Sequence, residues 1–231
     1  MKPAFLLIHS PLVGPYTWIP TANALQGSGY IAIASRLTNN EQDTRPYTEQ
    51  HVQTIAHAYH DHLEGKPVIL VAHSGAGVLL PSTGQAIGTP AGYIFVDAGL
   101  PHKNISRLAL FPAHEADRFR EAAANGYIPM WNDETLAKVI PNPQIRHNFV
   151  AELRPVPIAV YEEAIPVPDS WPDAPCAYLS FTNSTSYAED IKQAHDQGWP
   201  YMELAGYHFH PLVDPTAVAQ ALIMLAQQIT E

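Results

Sequence analysis

Cysteine is almost missing from this chain of 231 residues: Cys176 stands alone. A single cysteine makes no intrachain disulfide, and no Cys-His spacing of the kind that binds zinc is present. Neither a disulfide framework nor a metal is therefore expected, and Cys176, set in an apolar stretch, reads as a small buried residue. Basic residues are scarce as well, 12 Lys+Arg against 22 Asp+Glu, giving a formal charge of −10 at pH 7. No basic cluster breaks that balance, so nucleic acid is not an expected partner. Long hydrophobic runs are also absent. The opening stretch MKPAFLLIHS carries one lysine and a short apolar run, too short for a signal-peptide core or a membrane span, and no later run is long enough. The expectation is a soluble cytoplasmic protein without a membrane partner. Internal repeats and low-complexity tracts are lacking too.

What is there is a core. Apolar residues make up 46% of the chain, and the length suits one large α/β domain or one domain with an insertion. Six short, near-continuous apolar runs read as buried parallel strands: Ala4–His9, Tyr30–Ser35, Pro67–His73, Gly92–Asp97, Cys176–Phe181 and Tyr201–Ala205. Helix-length segments lie between most of them, over Tyr16–Gln26, Tyr47–Leu63, Ser74–Ile87, Ser184–Gln197 and Pro215–Ile229. Glycines follow the first four, and Asp214 with Pro215 opens the last as N-cap and first helical residue. Strand and helix in alternation predict βαβ units, a mostly parallel six-stranded sheet in a three-layer α/β/α sandwich.

One interval breaks the rhythm. Residues 101–175 contain no strand of sheet length and hold 11 of the 22 prolines. Helical pieces such as EADRFREAAANG and NDETLAKVI are cut short by proline. The chain thus divides into a core over 1–100, a helical insertion over 101–175 forming a lid across the sheet, and the rest of the core over 176–231.

The stretch PVILVAHSGAGVLLP, Pro67 to Pro81, raises the functional question. A buried strand runs into His-Ser-Gly-Ala-Gly and then into another apolar segment. Such a corner lifts the Ser74 hydroxyl above the carboxyl edge of the sheet and aims the Gly75 N–H where an oxyanion forms. A tight turn that simply needs small residues is the alternative. The elbow pattern Gly-x-Ser-x-Gly is here Ala72-His73-Ser74-Gly75-Ala76, with alanine at both outer places. A serine nucleophile needs a base. LAGYHFHPLVDP offers His208 after the last strand, with His210 two residues on as competitor. Position after the strand favours His208. A His-x-His pair without a third ligand does not make a metal site.

At these residues the chain resembles the α/β-hydrolase superfamily, on LLIHSPLVGPYTW, VAHSGAG, FVDAGLP and GYHFHPL. The resemblance spans essentially the whole chain and implies a fold that lacks the family's first two strands. More narrowly, it is similar to small esterases of the plant salicylate-esterase and hydroxynitrile-lyase type, on His9 and Trp18. It implies a triad of Ser74, Asp97 and His208, with Asp97 closing the strand after the nucleophile's helix. The acid's other usual place reads TNSTSYAED and holds Asn183. Asp97 as a loop-capping carboxylate is the plainer alternative. It also implies an oxyanion hole, of which Gly75 is one half. The other half usually comes from a backbone N–H in the N-terminal loop, which here reads His9-Ser10-Pro11-Leu12. Proline has no N–H to give, leaving the Leu12 N–H or the Ser10 hydroxyl.

Three functions follow. The first is a serine hydrolase of a small or medium apolar ester, thioester or lactone, through an acyl-enzyme on Ser74 and with no cofactor. The second is a lyase, decarboxylase or cyclase using Ser74 and His208 as proton shuttles. The third is a ligand-binding module. In each the partner is a small molecule, and nothing bears on oligomeric state. The insertion supplies Phe111, Trp131 and Tyr161 as candidate pocket walls. Glu162 and Glu163 read as a solvated pair or as a repellent for anionic substrates.

Overall fold

The computed structural model describes residues 2–88 and 90–230. Six strands form one sheet: β1 (Ala4–Ile8), β2 (Ala32–Ala34), β3 (Val68–His73), β4 (Gly92–Val96), β5 (Cys176–Phe181) and β6 (Tyr201–Leu204). Their order is β6-β5-β4-β3-β1-β2, and every pairing is parallel. The chain starts inside the sheet at β1, steps outward to β2, and then crosses back to build β3 to β6 on the other side. The order therefore reverses between β1 and β3. Diverging connections at such a switch point leave a crevice above the carboxyl ends of the two strands.

Helices α1 (Ile19–Gly27), α2 (Tyr47–His62), α3 (Leu80–Ile87), α6 (Ala188–Asp196) and α7 (Pro215–Thr230) cover the two faces, while α4 (Ala113–Ala122) and α5 (Pro143–Glu152) belong to the insertion and pack in clusters of their own. Side chains alternate along a strand, so odd and even residues serve different layers. Phe5, Leu7, Ile69, Val71, Ile94 and Val96 pack with Trp18 and Leu25 of the α1 region and with Val218, Leu222 and Leu225 of α7. Leu6, Leu70, Tyr93, Phe95 and Tyr178 pack on the other face with Ile55 of α2, Leu80 of α3 and Ala194 of α6. Two buried faces explain why the strands read as continuous apolar runs. Each fully buried Leu, Ile or Phe contributes roughly 1.5–3 kcal/mol. The Asp214 carboxylate accepts from Ala217 N at 3.0 Å, capping α7.

Three expected helices start later than their sequences suggested, the first of them, over Tyr16–Gln26, being a 3₁₀ turn over Pro15–Thr17 and α-helical only from Ile19. The segment from Ser74 begins as a 3₁₀ turn over Ser74–Leu79 and becomes α-helical only at Leu80. Gly75 and Gly77 weaken the α-helix there, and Pro81 is tolerated only near a helix start. The segment expected over Ser184–Gln197 is helical only over α6, because residues 182–187 turn over the sheet edge. That turn carries Tyr187 into the site described below.

Residues 101–175 contain α4, α5, short turns and only two-residue ladders, Ile105–Ser106 with Ala164–Ile165 and Tyr127–Ile128 with Val156–Pro157. NDETLAKVI gives a single turn over Asp133–Leu136, capped by Asn132. Glu163 is not a free surface charge. Its carboxylate accepts from Tyr47 N (2.8 Å), Thr48 N (2.9 Å) and the Thr48 hydroxyl (3.2 Å), tying the insertion to the N-terminus of α2. Glu162 faces Arg120 at 3.7 Å. No described helix is long and apolar enough to cross a membrane.

Candidate active site

The site is built at the carboxyl ends of β1, β3, β4 and β6. Ser74 leaves β3 with φ 59°, a left-handed conformation that costs a non-glycine residue on the order of 1–3 kcal/mol. The surroundings impose it. Gly77 packs so closely on the Gly99 carbonyl that a Cβ there would overlap the oxygen, and Gly99 N donates back to Ser74 O at 3.3 Å. The corner's tolerance of Ala72 and Ala76 follows, since the close approach falls on Gly77.

Asp97 closes β4, also at positive φ (43°), and is fully buried. Its Oδ2 accepts from His208 Nδ1 at 2.5 Å, while Oδ1 has no partner among the described residues. His208 lies after β6, and its ring is partly exposed. A neutral His208 that donates from Nδ1 carries its lone pair on Nε2, the form a general base needs. His73, one residue before Ser74, steadies it. The two rings lie 4.4 Å apart, and His73 Nε2 donates to the His208 carbonyl at 2.9 Å. Burial keeps the His73 ring well below the usual imidazole range, so it stays neutral beside His208.

His210 takes no part in this cluster. It lies against Phe181 at 5.3 Å and under Gly206. Asn183 is exposed, and its backbone N–H goes to Gly206 O at 2.9 Å. His9 and Trp18 are packing residues. His9 Nδ1 donates to Ser10 O at 2.8 Å and Nε2 accepts from Leu37 N at 3.1 Å, while Trp18 Nε1 donates to Ile8 O at 3.0 Å. Burial pushes the Cys176 thiol up to about 12, which leaves it inert.

A cavity of about 200 Å³ opens on Ser74 and His208. Gly75, Leu12, Phe111, Trp131 and Tyr161, all singled out in the sequence, line it, and Ser10 does not. A second cavity of about 220 Å³ shares its Leu12, Phe119 and Trp131 walls. Trp171, by contrast, packs on Tyr93 of the sheet at 4.7 Å, away from the cavity.

Two residues enter the site unannounced. Tyr187 donates to or accepts from Ser74 Oγ at 3.1 Å and stacks on His208 at 6.0 Å. Burial raises its phenol well above the usual range. The signal was its place in the loop after β5, where relatives carry the acid. Arg107 is 2% exposed; its Nε donates to Gly75 O and its Nη1 to Val160 O, each at 2.8 Å, and Nη2 has no partner among the described residues. Burial lowers it to about 10, still protonated at neutral pH. A lone cation inside the apolar stretch ISRLALF was the available clue.

A family model described as "Alpha/beta hydrolase family" matches residues 5–221. No curated protein matches the chain. Several solved structures superpose along nearly all of it. An extracellular alpha/beta-hydrolase from a Paenibacillus species, described as sharing structural and functional homology with tobacco salicylic acid binding protein 2, has a TM-score of 0.80 at 19% identity and covers 97% of this chain and 99% of its own. Tomato methylketone synthase I, complexed with 2-tridecanone, has a TM-score of 0.74 at 15% identity, covering 99% of each chain. A pyrethroid hydrolase from Sphingobium faniae JZ-2 has a TM-score of 0.72 at 16% identity, covering 97% of each. At such identities the likeness is one of fold.

Proposed function

The chain belongs to the alpha/beta hydrolase family, and from that premise we propose that it is a serine hydrolase acting on a small or medium apolar ester, thioester or lactone. The carrying observation is the buried Asp97 paired at 2.5 Å with Nδ1 of His208, which lines the same cavity as the strained Ser74. Family membership alone does not fix a reaction; this arrangement gives it chemistry.

Ser74 Oγ attacks the substrate carbonyl while His208 Nε2 removes its proton. The carbonyl π pair moves to oxygen, and the Gly75 N–H, placed in the first turn of the 3₁₀ segment where N–H groups lack intrahelical partners, binds that oxyanion. Collapse breaks the bond to the leaving group, which takes the proton from His208. Water then repeats the sequence on the acyl-enzyme and releases the acid and Ser74. Asp97 keeps Nδ1 protonated and stabilises the imidazolium at each stage. In the resting site Ser74 Oγ pairs with Tyr187, not with His208. Such catalytic contacts commonly tighten only with substrate bound. Phe111, Phe119, Trp131 and Leu12 supply apolar walls, and the insertion acts as a lid that selects substrate.

Pro11 favours a second reading, proton shuttling between Ser74 and His208 without an acyl-enzyme, as in a lyase or decarboxylase. A fluorophosphonate probe separates the two. Hydrolysis predicts a covalent adduct on the peptide containing Ser74 and loss of p-nitrophenyl ester turnover in Ser74→Ala. Turnover that persists unchanged in Ser74→Ala refutes the hydrolase reading.

A further inference from the structure

The β1 loop cannot form the usual second half of an oxyanion hole. Pro11 has no N–H, and the next donor, Leu12 N, is directed at Ser10 Oγ at 3.4 Å. Two hydroxyls converge where that donor is missing. A Cβ built on Gly75 would lie 3.1 Å from the Tyr161 hydroxyl and 3.4 Å from Ser10 Oγ. A Cβ sits about 2.5 Å from its own backbone nitrogen. The Tyr161 oxygen is therefore no farther than about 5.6 Å from Gly75 N, and two hydrogen bonds of about 2.8 Å to one shared oxygen bridge that span. Tyr161 lines the cavity and Ser10 does not, so only the tyrosine meets a substrate directly.

Resting on the serine-hydrolase reading, we propose that the Tyr161 hydroxyl is the second oxyanion donor, supplied by the insertion in place of the N–H lost at Pro11. Ser10 orients it. Ser10 Oγ accepts from Leu12 N, and its own proton goes to the Tyr161 oxygen 3.4 Å away. That leaves the phenolic O–H free to point at the carbonyl oxygen as negative charge develops. The proton stays on tyrosine throughout, so the hydrogen bond strengthens without a transfer. Burial raises the Tyr161 phenol above its ordinary range, which keeps the donor protonated.

Arg107 is the positioning residue. Its bonds to Gly75 O and Val160 O join the elbow to the residue preceding Tyr161, and its guanidinium lies 5.9 Å from the tyrosine ring. Phe119 closes the other side at 5.2 Å between ring centroids. The phenol is thus fixed before substrate arrives, as a donor to a transition state must be.

Tyr161→Phe removes one oxygen and keeps the packing. Loss of an oxyanion donor costs ~100–1000-fold in kcat, so that fall is expected with KM within a few-fold of wild type. Affinity for an alkyl trifluoromethyl ketone, which forms an oxyanion on Ser74, should fall by a similar factor, while a non-electrophilic alcohol of the same shape should bind unchanged. Site-specific 3,5-difluorotyrosine at 161, a stronger hydrogen-bond donor, should tighten the ketone; it keeps the test alive should Tyr161→Phe fold poorly. If Tyr161→Phe keeps kcat within about three-fold while Ser74→Ala is dead, the tyrosine is not a donor and the hydrolase reading stands. Equal weakening of ketone and alcohol makes Tyr161 a pocket wall only. Turnover surviving Ser74→Ala defeats the hydrolase reading itself.

Discussion

Lowering the pH from 7 to 5 should remove a large share of this protein's stability, because three histidines are buried as neutral rings. His9 is 2% exposed, and His51 and His73 are wholly buried. Burial lowers His9 from 6.5 to about 4 and His51 to about 3, and holds His73 well below 6.5. The sign follows from the order of protonation. Below pH 6.5 the unfolded chain takes up three protons that the folded chain still refuses, so stability is full above that value and falls with pH. Near pH 5 the difference approaches three protons, a slope of roughly 4 kcal/mol per pH unit. From pH 7 to 5 the loss integrates to roughly 5–6 kcal/mol, comparable with the whole stability of a domain, about 5–15 kcal/mol. Asp190 opposes this, since burial raises its carboxyl and the folded form gains that proton first, but it is one group against three, and part-buried His210, which burial also lowers, acts on their side. Urea unfolding monitored by tryptophan fluorescence at half-unit pH steps measures the slope. His51→Gln keeps a donor for Asn39 Oδ1, which His51 Nε2 meets at 2.7 Å, and should reduce the slope by about one proton, roughly 1.4 kcal/mol per pH unit. A loss below about 2 kcal/mol between pH 7 and 5, one histidine's worth, refutes the claim that the three rings are neutral in the folded state.

Asp97→Asn keeps the size of the residue but loses the charge facing His208, and kcat should fall by ~10,000-fold; near-wild-type turnover would show that Asp97 only caps its loop. His208→Ala should abolish ester turnover while His210→Ala largely spares it, and the reverse ordering in steady-state kinetics would overturn the base assignment. Gly77→Ala forces a methyl against the Gly99 carbonyl oxygen; overpacking of this kind costs about 1–3 kcal/mol, seen as a lower urea midpoint, and an unchanged midpoint would mean the elbow is not rigid.

The parallel sheet was legible because β1, β3, β4 and β5 are buried on both faces, and continuous apolar runs between glycine-ended helices have few other folds open to them. The serine corner was legible too, since the crowding at Ser74 to Gly77 is local and selects small residues within a few positions. The offset of His208 from the end of β6 was readable too, and in the fold it is His208 that meets Asp97 while His210 lies against Phe181. What the sequence could not contain was the meeting of distant segments. Glu163 looked like a surface charge until the fold set it against the N-terminus of α2, over a hundred residues away in the chain. Arg107, Tyr161 and Tyr187 carry no motif; their chemistry comes from burial beside Gly75 and Ser74, which depends on how residues 101–175 and the turn after β5 close over the switch point. Proline-broken segments have no periodicity to read, so only tertiary packing decided which of their side chains face the serine.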